Sequence, residues 1–132
     1  MTIPKKVCLQ IPMLPDMELA ATKTAEEVAR FMQFATDSID EIKQALIEGI
    51  INAFEHSKSS DRTVYIQFDM QDEELEVTIQ DYGIGFDSTQ KSALQPLQRR
   101  GYGRRLMEAL MDDVKYFTSP NGTKVVMKKR RH

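Results

Sequence analysis

Apolar positions along this chain follow two periods, and each switch from one to the other marks an element boundary. In "KVCLQI", Val7, Leu9 and Ile11 alternate with polar neighbours, which predicts a strand over 6–11, closed by Pro12 and Pro15. The pattern then turns helical. A first helix is expected over about 17–35, with Leu19, Ala20, Val28, Phe31, Met32 and Ala35 among its apolar positions and Asp16 as its cap. A second is expected over 38–56, capped by Thr36 or Asp37. Ile39, Ile42, Leu46, Ile50 and Ala53 recur there at spacings of three and four, and Ile47, Ile51 and Phe54 widen the stripe.

Period two returns in 63–70, where Val64, Ile66, Phe68 and Met70 share one face, and in 74–80, where Leu75, Val77 and Ile79 do. The short polar link "QDEE" makes these an antiparallel hairpin. After "DYGIGFD" at 81–87, residues 88–100 are polar, aperiodic and contain Pro96, which predicts a mobile loop. The segment "GYGRRLMEALMDD" at 101–113 opens on glycines and becomes a helix with Leu106, Met107 and Leu110 facing inward. Two strands, "VKYFT" and "TKVVMKK", close the chain around the turn signal "SPNG".

The order β-α-α-β-β-loop-α-β-β segregates helices from hairpins. It offers too few helices for a doubly wound sheet. The expected fold is therefore α+β: a two-layer α/β sandwich with a mainly antiparallel sheet of about five strands and three helices on one face, all in a single domain over 1–132.

Composition changes this picture little. The chain is 41% hydrophobic and 29% charged with a formal charge of -2, a globular balance that gives no general affinity for nucleic acid. The basic "KKRR" at 128–131 reads as a solvated strand end. Cys8, the single cysteine, has no disulfide partner and no metal-ligand neighbours, and is expected to be a buried structural thiol. No apolar run of about 18 residues and no signal-peptide core is found, so a cytoplasmic protein with no membrane segment is expected.

Three clusters carry possible chemistry. Glu48, Asn52 and His56 fall four apart on one face of the second helix, beside the small residues Ala45 and Gly49. Asp81, Gly83 and Gly85 follow a strand, and Gly101 and Gly103 open a helix. Alone, the first is commonly a solvated face, the second a turn, and the third a frequent dipeptide pattern. Together they suit a nucleotide. Free N–H groups at a glycine-led helix start can cradle phosphate. Arg99, Arg100, Arg104 and Arg105 cluster around that start. Asn52 and Glu48 supply a hard oxygen ligand and a potential base, as magnesium-dependent phosphoryl transfer requires.

This set resembles the GHKL ATPase superfamily: "EGIINAFEH" is similar to its N-box, "DYGIG" to its G1 box, "GYGRRLM" to its G2 box, and "NGTKVVMKK" to its closing Gly-Thr strand. Within it, the boxes, their order and the short lid resemble the anti-sigma-factor serine kinases of the RsbW and SpoIIAB type. The resemblance implies the Bergerat ATP-binding fold. It implies that Asn52 binds the magnesium bridging the ATP phosphates and that Glu48 is the base that deprotonates an acceptor serine on a partner protein. Asp81 would read the adenine amino group with Thr123 in support. Gly83 and Gly85 would let the backbone pass close to the nucleotide. Gly101, Tyr102 and Gly103 would form the lid hinge and phosphate contacts, Arg99 would reach the terminal phosphate, and His56 would approach the phosphates or serve packing. Arg104 departs from the family pattern, which places an apolar residue there; it would either contact phosphate or change how the lid packs.

The function implied is an ATP-dependent protein serine kinase that binds a sigma factor and phosphorylates a STAS-domain anti-sigma-factor antagonist. By the same resemblance it would be a homodimer through the first strand and helix; the charge balance separately points to no direct contact with nucleic acid. The competing reading is a nucleotide-gated binding module without phosphotransfer, against which Glu48 argues. A detached histidine-kinase domain is disfavoured because no helix pair bearing a phospho-accepting His precedes residue 1, and a gyrase- or MutL-like ATPase would need a second domain.

Overall fold

The computed structural model describes residues 5–57, 60–82 and 103–131. Its elements are β1 (Lys6–Pro12), α1 (Glu18–Phe31), α2 (Thr36–His56), β2 (Thr63–Met70), β3 (Glu74–Asp81), a helix α3 over 103–110, β4 (Asp113–Ser119) and β5 (Gly122–Arg130). The five strands form one sheet in the order β1-β2-β3-β5-β4, and every pairing is antiparallel. The expected α+β sandwich is what the chain forms.

Alternation decides which face is covered. Val64, Ile66 and Phe68 on β2 and Leu75, Val77 and Ile79 on β3 are buried under the helices, while their neighbours are half-buried on the other face. Ile42, Leu46 and Ile50 on α2 meet them, and Met107 and Met127 close the core from α3 and β5. Each such side chain contributes about 1.5–3 kcal/mol by leaving water. Gly49 brings α2 against β3: a methyl at its Cα would sit 2.4 Å from Ile79 Cδ1 and 3.4 Å from Met107 Sδ.

Several local expectations are corrected. Asp16 does not cap α1: it lies at φ 72° in the turn after Pro15, and the helix starts at Glu18 with Met17 as its N-cap and no side-chain cap. Neither Thr36 nor Asp37 caps α2; Ala35 holds the extended N-cap position, and Asp37 lies in the first turn, where its charge suits the helix dipole. The core stripe of α1 is Ala21, Ala25, Val28 and Ala29, which leaves Leu19 and Phe31 exposed. Cys8 is exposed rather than buried, because it sits between the inward-facing Val7 and Leu9 and therefore points to the uncovered face, with its thiol toward Gln67 Oε1 at 3.9 Å. The mobile loop expected over 88–100 lies outside the described residues.

Candidate functional site

Four elements converge at one end of the helix-covered face. Helix α2 supplies Glu48, Asn52 and His56 on successive turns, all half-buried. His56 is the last helical residue, with Nε2 3.8 Å from the Glu55 carboxylate. Helix α3 supplies Gly103, which is buried against that stripe. A Cβ at Gly103 would stand 3.2 Å from Asn52 Nδ2, 3.6 Å from Asn52 Oδ1 and 3.3 Å from Glu48 Oε2. The first described turn of α3 is thus held beside a carboxylate and a carboxamide. A side chain at 103 would fill that space.

Strand β3 ends at Asp81, which is only 2% exposed. It lies on the same face as Ile79, the residue that Gly49 of α2 admits. Its register partner on β5 is Thr123, whose hydroxyl donates to Asp81 Oδ2 at 2.5 Å. Gly122 makes this approach possible. It has φ 141°, and a Cβ there would fall 2.1 Å from the Asp81 carbonyl oxygen. Only glycine combines that backbone conformation with that proximity. One oxygen of the buried carboxylate is committed to Thr123, which orients the other.

Arg104 follows Gly103 and is half-buried, its guanidinium stacked over the Tyr116 ring of β4 at 3.7 Å from the centroid. The sequence left two roles open for this residue, and the described conformation is a packing contact. Gly83, Gly85, Arg99, Gly101 and Tyr102 lie outside the described residues.

Two residues that matter here were not singled out in the sequence. Gly122 enters the sequence reading within the turn signal and the closing Gly-Thr strand but not as a site residue, although a glycine directly before a threonine that pairs with a site residue is a usable signal. Tyr116 gave none, because its relation to Arg104 depends on how α3 packs on β4.

The site can hold a divalent cation in a limited sense. Among the described residues, no three His, Cys, Asp or Glu side chains gather as a metal cluster. Magnesium, however, usually takes one or two protein oxygens with substrate phosphates and water completing the shell. Asn52 Oδ1, 3.6 Å from the position a Cβ would take at Gly103, is a hard oxygen of the kind such a shell uses. Among the described residues no helix is long and apolar enough to cross a membrane.

Comparison with known proteins identifies the family. Residues 11–129 match the histidine kinase-like ATPase domain. The serine-protein kinase RsbW of Oceanobacillus iheyensis is 30% identical over 133 residues, covering 92% of this chain and 84% of that protein. The anti-sigma F factor of Clostridium acetobutylicum is 32% identical over 122 residues, covering 86% and 85%. Among solved structures, the RsbU and RsbW domains of a Mycobacterium tuberculosis protein superpose with a TM-score of 0.75 at 16% identity; the match covers 96% of this chain and 32% of that one, and speaks to the fold alone. The chain belongs to the histidine kinase-like ATPase family, in the branch of the serine-protein kinase RsbW and the anti-sigma F factor.

Proposed function

We propose that this protein is an ATP- and magnesium-dependent protein serine kinase and anti-sigma factor of the cytoplasm, built as a single ATP-binding domain. It binds a sigma factor, and it phosphorylates a serine on a STAS-domain antagonist of that binding. The observation that carries the reading is Gly103 packed against Glu48 and Asn52, on the same sheet face as the buried Asp81–Thr123 pair. One end of the site offers an oriented carboxylate that suits an adenine amino group. The other offers helix N–H groups, a hard oxygen and a base, which suit phosphate, magnesium and an acceptor hydroxyl.

In this assignment Asp81 accepts from the adenine amino group, and Thr123 holds it in place. Asn52 holds the magnesium, which neutralises the phosphates when bound. Glu48 takes the proton from the acceptor serine. Gly83, Gly85, Gly101, Tyr102, Gly103 and Arg99 line the nucleotide, and His56 closes the phosphate end of the stripe. Arg104 fixes the first turn of α3 through Tyr116. A homodimer through β1 and α1 is part of the proposal. It is supported by β1 lying at the sheet edge and by Leu14, after β1, and Leu19 and Phe31, on α1, being exposed.

The test is incubation of the protein with labelled ATP, magnesium and STAS-domain proteins from the same genome, with any phosphoserine mapped. Transfer to one serine of one such protein supports the kinase. Tight ATP binding with no transfer to any of them favours a nucleotide-gated binding module instead.

A further inference from the structure

Lys129 on β5 is 7% exposed and lies on the helix-covered face. Its ammonium donates to the Leu110 carbonyl at 2.5 Å and lies 3.4 Å from Glu41 Oε2. Leu110 is the last helical residue of α3, so its carbonyl has no intrahelical partner, and a cation there is favoured by the helix dipole. Glu41 belongs to α2 and precedes Glu48 by two helical turns, which places both on one side of that helix. Helices α2 and α3 are therefore joined at three levels. Glu41, Lys129 and Leu110 meet at one end; Gly49 faces Met107 in the middle; Glu48 and Asn52 face Gly103 at the other end.

The chain after α3 is tied down as well. The Asp112 backbone N–H donates to the Lys128 carbonyl at 2.9 Å, and Asp112 Oδ2 accepts from the Arg130 N–H at 2.6 Å. A buried ammonium is a poor device for stability alone, since an apolar side chain of similar length fills such a position at lower desolvation cost. What it supplies that an apolar residue does not is a directional bond to one carbonyl and one carboxylate.

We propose that Lys129 is a positioning residue: by fixing the C-terminal end of α3 to α2, it sets where Gly103, at the opposite end, meets Glu48 and Asn52. Residues 103–110 span only about 10 Å, so loosening one end tilts the other. A shift of about 1 Å in such a site costs on the order of 100-fold in function. The role rests on reading this site as the nucleotide site.

The test is calorimetry of ADP and magnesium-ATP binding to the full chain at a temperature where circular dichroism shows every variant folded. Lys129→Met keeps the packing and removes the charge. Lys129→Arg restores the donors. Val64→Ala, in the core under β2, serves as a reference that lowers stability away from α3. Lys129→Met is expected to lose about tenfold or more in affinity, Lys129→Arg to recover most of it, and Val64→Ala to change it less than about twofold. Should Lys129→Met not fold, Glu41→Gln carries the test at a residue 40% exposed, with an expected loss of about two- to fivefold. Lys129→Met binding as well as Val64→Ala, an arginine that restores nothing, or unchanged affinity in Glu41→Gln where it stands in, overturns the role of Lys129 and leaves the site assignment standing. A wild type that binds no nucleotide overturns both.

Discussion

The Arg104 guanidinium lies 3.7 Å from the centroid of the Tyr116 ring and ties the first described turn of α3 to edge strand β4. An always-charged, planar group stacked on an aromatic face contributes on the order of 1 kcal/mol.

Among the described residues, the buried Tyr116 hydroxyl has no partner at hydrogen-bond geometry, and Arg104 is the polar group nearest in effect to it. Burial pushes the phenol above its usual range; Arg104 opposes this and Glu108 adds to it. Because the folded-state pKa is raised, the stabilisation linked to the neutral phenol is fully present below about pH 10 and is lost as pH rises through the folded value. Urea melts from pH 7 to 11 are expected to show wild-type stability falling more steeply above about pH 10 than that of Tyr116→Phe. At neutral pH the phenylalanine variant is expected to gain about 1 kcal/mol, because it removes an unsatisfied hydroxyl and keeps the ring under Arg104. Parallel pH profiles would show that the phenol is not perturbed by folding.

Gly122→Ala is expected to be among the most damaging single-methyl additions in this fold. The new Cβ would meet the Asp81 carbonyl oxygen at 2.1 Å, and the backbone at φ 141° is unfavourable for any other residue. Strain of about 1–3 kcal/mol adds to a collision with backbone that cannot rotate away. A loss of about 3 kcal/mol or more is expected, and with it displacement of Asp81 from Thr123 and of any nucleotide affinity that depends on them. Thermal denaturation and calorimetry on the same sample check both. Wild-type melting would show that the β3–β5 pair yields more easily than its register suggests.

Much of this architecture was legible because one sheet face is covered. Val64, Ile66 and Phe68, and likewise Leu75, Val77 and Ile79, alternate so clearly that strand, face and hairpin follow together. The same alternation already assigned Cys8 to the outer face; treating it as a buried thiol set residue-type preference above period. Along helix α1 and its C-cap the expected Val28 and Met32 are buried, but most of the other core contacts are alanines. Ala21, Ala25 and Ala29 give a weak periodic signal beside Leu19 and Phe31, which point outward. In the site, the stripe Glu48–Asn52–His56 follows from local spacing. The placing of Gly103 against it, and of Thr123 against Asp81 42 residues away, depends on helix packing and strand register.

Asp81→Asn is expected to weaken ATP and ADP binding more than tenfold, on the order of 2 kcal/mol. Thr123 now donates to one carboxylate oxygen. In the asparagine variant, one side of the group becomes an N–H₂ donor. If the amide keeps its oxygen toward Thr123, the donor faces the adenine amino group and two donors meet. If it turns, the hydroxyl must reverse to accept. Thr123→Ser retains the hydroxyl and is expected to bind nearly normally, whereas Thr123→Val is expected to follow Asp81→Asn in direction. Calorimetry with unchanged affinity in Asp81→Asn would remove Asp81 from adenine recognition.

Glu48 and Asn52 are expected to fail differently, although both stand beside Gly103 on one helix face. Asn52 is assigned to magnesium, so Asn52→Ala is expected to lose both magnesium-dependent nucleotide binding and phosphotransfer. Glu48 is assigned to the acceptor hydroxyl and not to the nucleotide. Glu48→Gln keeps the shape beside Gly103 and removes the base. Nucleotide affinity is therefore expected to stay within a few-fold of wild type, while phosphotransfer at saturating ATP falls by about two to four orders of magnitude. Capture of protein partners is expected to survive, because the substitution leaves the surface in place. Single-turnover transfer to a STAS-domain partner separates the two variants, with calorimetry reporting binding on the same preparations. Equal transfer by wild type and Glu48→Gln would assign the proton to another group. Loss of affinity in Glu48→Gln as large as in Asn52→Ala would place Glu48 on the cation and not on the acceptor.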